Sequence, residues 1–72
     1  MSTIISSTPG NIDYPIYRKG HIVVRNDISN NKAYYRIILI EWDDVYSQWM
    51  YHILNMNDGT IAIVSGEQID LV

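Results

Sequence analysis

Apolar and polar positions alternate in short runs of period two, and polar turns separate the runs; this is the signature of half-buried strands. His21 to Arg25 places Ile22 and Val24 on one face and His21, Val23 and Arg25 on the other. The run over residues 33–42 offers two apolar faces, Tyr35, Ile37 and Leu39 against Tyr34, Ile38, Ile40 and Trp42, so a bent central strand is expected there. Residues 48–56 alternate Trp49, Tyr51, Ile53 and Asn55 against Met50, His52, Leu54 and Met56. A helix from the Asp43-Asp44 loop through His52 is the rival reading, but Val45, Trp49 and His52 give only a thin stripe of period 3.6. Ile61 and Ile63 share a face of the next run, and Ile69 and Leu71 share a face of the last.

These runs predict strands over 20–25, 33–42, 48–56, 60–65 and 68–72. The expected core is Ile22, Val24, Tyr35, Ile37, Leu39, Tyr51, Ile53, Ile61, Ile63, Ile69 and Leu71. The polar segment 26–32, rich in side chains that bond their own backbone, is expected to be the longest structured connection. Asn57-Asp58-Gly59-Thr60 is a hairpin signal; the Asp58-Gly59 pair suits a two-residue type I′ turn with positive φ at both positions. Pro15 holds Tyr14 extended, and Arg18-Lys19-Gly20 reads as a turn or bulge. Residues 1–13 read as a flexible tail and residues 14–72 as one small domain, with Ile4 and Ile5 able to add a short edge strand.

Composition sharpens this picture. Ile occurs 13 times, Tyr 6 times and Trp twice, whereas Leu occurs 3 times and Phe never, a balance that favours strands over helices. With 72 residues the core is small, and Tyr and Trp must supply its aromatic volume. The absence of Cys excludes disulfides, thiolate nucleophiles and Cys-ligated metals. The longest apolar run, Ile37 to Ile40, cannot cross a membrane, and Met1 to Gly10 lacks the charged and apolar regions of a secretory signal; a cytoplasmic location is expected.

The net charge of −3 is unevenly divided. Arg18, Lys19, Arg25, Lys32 and Arg36, the only cationic Lys and Arg side chains, all precede residue 37; Glu41, Asp43, Asp44, Asp58, Glu67 and Asp70 follow it. Those five cations are the candidate nucleic-acid contacts, yet they are few and the net charge opposes duplex binding.

The order of elements resembles small β-barrels of the SH3, Tudor and KOW type. The residues that carry the likeness are Tyr14 to Val24 with its turn and Gly20, then Tyr35-Arg36-Ile37, Trp49-Met50-Tyr51-His52-Ile53, Asn57-Asp58-Gly59, and Glu67 to Leu71. The resemblance covers residues 14–72 and implies an all-β, five-stranded antiparallel SH3-like barrel. It departs from that pattern in lacking the basic character of a KOW module and the terminal Pro-Tyr of a proline-binding SH3 domain.

Candidate chemistry is sparse. His21 and His52 titrate nearest neutrality, but general acid–base work needs a nucleophile or paired carboxylate beside them, and both are placed on outer strand faces. A pairing of His52 with Asp43 or Asp44 across a hairpin is the one constellation within reach. Glu41, Asp43 and Asp44 lack the spacing of a calcium loop, so no metal, cofactor or catalytic residue is assigned. The aromatics carry more. Trp42, Asp43, Asp44, Tyr46 and Trp49 form the expected partner-binding set, because Trp and Tyr concentrate at binding hot spots. The expected function is a non-catalytic protein-interaction module, an accessory subunit or small regulator. Nucleic-acid binding and an acidic inhibitor of the phage or plasmid kind are the alternatives.

Overall fold

A computed structural model of the protein describes residues 14–29 and 32–72. The tail expected over residues 1–13, with Ile4 and Ile5, lies outside the described residues. Five antiparallel strands form: β1 (Ile22–Arg25), β2 (Tyr35–Asp43), β3 (Gln48–Asn55), β4 (Ile61–Ser65) and β5 (Ile69–Leu71). Residues 26–34 join β1 to β2, and one 3₁₀ turn, Gly66–Gln68, joins β4 to β5. The rival helix over the middle of the chain does not form; residues 44–47 are a turn and residues 48–52 belong to β3.

The spatial order is β4-β3-β2-β1-β5. The structure corrects the expected SH3-like barrel: β4 and β5 stand at the two ends of this order and do not pair, so the sheet is open at both edges. Closure needs two edges long enough to complete a ladder. One edge is the three-residue β5, held on a β1 that meets β2 over only two residue pairs, Ile22↔Arg36 and Val23↔Tyr35. The long β2-β3-β4 meander has no partner of matching length.

The inner face carries the core. Val23, Ala33, Tyr35, Ile37, Tyr51, Ile53, Val64 and Ile69 are buried, with Tyr17, Ile40, Trp49 and Ala62 packed against them. Tyr35, Ile37, Tyr51, Ile53 and Ile69 are expected core residues; the other expected positions face outward or stand at the rim. In β1 the buried residue is Val23, opposite Tyr35, in place of Ile22 and Val24. Its polar neighbour Arg25 is accommodated at the rim, where the guanidinium lies 5.9 Å from the Tyr35 ring centroid and pairs with Asp27. In β2 a bulge between Ile37 and Leu39 shifts the register, so Ile37 faces Ile53 while Leu39 faces His52 and is exposed. In β4, Ala62 and Val64 turn inward opposite Ile53 and Tyr51, leaving Ile61 and Ile63 exposed. In β5, Leu71 is exposed at the end of the strand.

The hairpin turns also differ from expectation. Asp58 does not have positive φ, whereas Gly59 does (φ 77°), so the β3–β4 turn is not type I′. It is a four-residue loop: Asn55 N–H donates to Thr60 C=O (2.7 Å) and Gly59 N–H donates to Asn55 C=O (2.8 Å).

Candidate protein-binding surface

Two aromatic contacts organise the inner face beside the core. Trp42 and Trp49 are direct partners across β2 and β3, and their rings meet edge to face with centroids 5.3 Å apart at 73°. The Tyr17 ring meets Tyr51 in the same way at 5.5 Å. Tyr17 is fixed twice more: its hydroxyl donates to Ile69 C=O (3.2 Å), and its N–H donates to the Tyr51 hydroxyl oxygen (3.5 Å). These bonds fix Tyr17, the last residue of the segment Tyr14–Tyr17, against the sheet. Burial raises the pKa of the Tyr51 phenol, which stays a neutral hydroxyl.

A cleft of about 310 Å³ opens between this segment and the 3₁₀ turn. Tyr14, Ile16, Trp49 and Tyr51 form its apolar wall, and Gln48 and Glu67 stand on its polar side. Tyr14 also borders a second depression of about 510 Å³ with Tyr17, Arg18, Lys19 and Ile40. Trp49 therefore belongs both to the tryptophan pair and to the first cleft. Its indole N–H is buried without an acceptor among the described residues.

The expected binding residues fall out as follows. Trp42 is 42% exposed and Tyr46 73% exposed, so both rings present surface at the acidic loop. Asp43 shapes the turn, because one carboxylate oxygen accepts from the N–H groups of Val45 (2.8 Å) and Tyr46 (3.3 Å). Asp44 is exposed beside it. Trp42, Asp43 and Asp44 line a shallow depression with Glu41, Met50 and Ile63. Tyr14, Ile16 and Glu67 line the cleft over the buried Tyr51 without having been marked as binding residues by the sequence. The available signal was Tyr14-Pro15-Ile16-Tyr17, an extended apolar stretch just ahead of a turn.

The five cations do not gather. Arg18 and Lys19 sit in the turn closed by His21 N–H to Arg18 C=O (3.1 Å) and tied to β2 by Gly20 N–H to Ile37 C=O (2.8 Å), with the His21 ring accepting from Arg18 N–H (3.0 Å). Arg25 lies at the inner rim and donates through Nε and Nη2 to Asp27 (2.9 and 2.8 Å). Arg36, between the buried Tyr35 and Ile37, points to the opposite face, and Lys32 lies exposed in the β1–β2 connection.

His52 is bonded to Glu41 (2.5 Å) on the outer face rather than to Asp43 or Asp44. Among the described residues, no His, Cys, Asp and Glu side chains form a group able to hold a metal ion, and no helix is long and apolar enough to cross a membrane. No family model, curated protein or solved structure matches the chain.

Proposed function

We propose that this chain is a non-catalytic protein-interaction module that grips a short extended segment of a partner protein. The observation that carries the reading is the half-exposed Trp42–Trp49 pair, set between an acidic loop and an apolar cleft. Aromatic rings supply large contact area at low conformational cost, and such positions dominate interface energetics. Asp44 and Glu67 favour a Lys or Arg near the apolar residues of that segment.

Selection from a random peptide display library tests this. Enriched sequences are expected to combine apolar residues with Lys or Arg, and Trp42→Ala should weaken their binding by about tenfold or more, the scale of a hot-spot ring. An empty selection, or one indifferent to Trp42→Ala, rejects the reading. Nucleic-acid binding is the weaker alternative because Arg25 is paired and Arg36 faces away from it. A titration with single-stranded DNA and RNA at low salt that gave tight binding would reverse that order.

A further inference from the structure

The two edges of the sheet are guarded unequally. β5 is three residues long and carries Asp70, whose carboxylate is held by Asn26 Nδ2 (3.0 Å). β4 is Ile61-Ala62-Ile63-Val64-Ser65, with no charge, no proline and no break in its register against β3. Natural edge strands are protected by such devices, and β4 has none of them.

The ladder fixes which backbone groups are free. The bond from Asn55 N–H to Thr60 C=O sets its phase, so Ala62 and Val64 turn their N–H and C=O toward β3. Ile61, Ile63 and Ser65 turn theirs to the open edge. Gln68 occupies the Ser65 N–H through its side-chain oxygen (2.8 Å), and the N–H and C=O of Ile61 and Ile63 have no partner among the described residues. The side chains of Ile61 and Ile63 are each 57% exposed on the outer face.

The geometry points to a second copy of this chain as the occupant of this edge. Two β4 strands pair antiparallel about a two-fold axis at Ala62, so that Ile61 of each copy exchanges N–H and C=O bonds with Ile63 of the other. The strand is complementary to itself in this register: a small residue lies on the axis and isoleucine meets isoleucine on both sides. It offers no charge that would select a charged partner. The contact is smaller than the roughly 1,200 Å² of a standard interface, so the dimer is reversible and fills at high micromolar concentration. Each copy carries −3, so salt strengthens the association by screening repulsion.

Sedimentation of the full chain from about 10 μM to about 1 mM reads this directly. The mass should climb from 8.3 kDa toward twice that value, and further at high salt than at low. Ile63→Lys should hold the mass at the monomer value. Leu39→Lys, on the same face but in β2, should leave the dimer unchanged. Amide exchange on the unaltered chain gives a second reading that needs no variant: the Ile61 and Ile63 amides should slow as concentration rises, while Leu71, at the β5 edge, should not. A constant monomer mass, a dimer that survives Ile63→Lys, concentration-independent exchange at Ile63, or loss of the dimer in Leu39→Lys overturns the proposal; the last would place face against face.

Discussion

Ser47 and Gly59 hold the same place in two loops of the same build. Each closes a four-residue turn in the left-handed region, Ser47 at φ 52° and Gly59 at φ 77°. Each loop opens on a side-chain oxygen that accepts from the second and third residues after it, Asp43 in one and Asn55 in the other. Only the last residue differs in kind. A side chain in this region costs about 1–2 kcal/mol, and glycine avoids that cost but loses about 0.5–1 kcal/mol more chain entropy on folding. Ser47→Gly should therefore raise stability by a few tenths to about 1 kcal/mol. Gly59→Ala should lower it by about 1 kcal/mol, and the loss is a backbone effect because a Cβ there meets nothing within 4 Å. Thermal unfolding of both variants beside the parent checks the pair. Equal shifts of the same sign would contradict the shared geometry. The Asp58-Gly59 dipeptide marked the hairpin correctly, but loop length, which decides the turn type, is set by where the ladder closes.

At the level of strands, existence was legible and facing was not. All five runs became strands within two residues of the expected ends, because period-two alternation and turn residues are local signals. Facing depends on register across strands, which is not local. The hairpin between β3 and β4 has an even-numbered loop, so odd residues of β3 meet even residues of β4. Once Tyr51 and Ile53 face inward, Val64 and Ala62 must follow, and the larger Ile61 and Ile63 are turned out. The bulge after Ile37 does the reverse for β2: it brings Tyr35 and Ile37 inward where an unbroken register would have brought Arg36 and Ile38. Of the proposed binding surface, the tryptophans and the acidic loop were readable, because Trp42, Tyr46 and Trp49 stand close in sequence. The cleft was not, since Tyr14 and Glu67 meet Trp49 only through the fold. Alanine substitutions test the facing. Ile53→Ala should cost about 2–5 kcal/mol, the range for a buried isoleucine. Ile63→Ala in the dilute monomer should stay within about 0.5 kcal/mol of the parent, as an exposed position does. Denaturant midpoints that ranked the two equally would return Ile63 to the core.

Across the whole molecule, a polar latch ties the end of β1 to the 3₁₀ turn and β5. Arg25 at the end of β1 pairs with Asp27, Asp27 accepts from Gln68 Nε2 (2.9 Å), and Gln68 closes the 3₁₀ turn onto Ser65. Asn26 adds bonds to Glu67 C=O and Asp70, both at 3.0 Å. This chain of contacts links β1, the 3₁₀ turn and β5, and the basic half of the sequence thereby meets the acidic half. The hydrogen bond from Arg25 holds the Asp27 carboxyl below its ordinary pKa, and the Thr60 backbone N–H does the same for Asp58. A carboxylate with a depressed folded pKa stabilises the fold above its unfolded pKa of about 3.9, and that contribution disappears as pH falls through the folded value. Stability should thus show no loss from these groups between neutral pH and about pH 5, then fall in stronger acid. Asp27→Asn separates the latch from the general acid response. It removes the ion pair at every pH, so the variant should be less stable than the parent at pH 7, and the gap should narrow as the parent's own Asp27 becomes protonated. Urea unfolding of both proteins across the acid range measures that gap. A constant difference down to the most acid pH would mean that Asp27 holds the latch through its hydrogen-bonding shape alone, with no contribution from its charge.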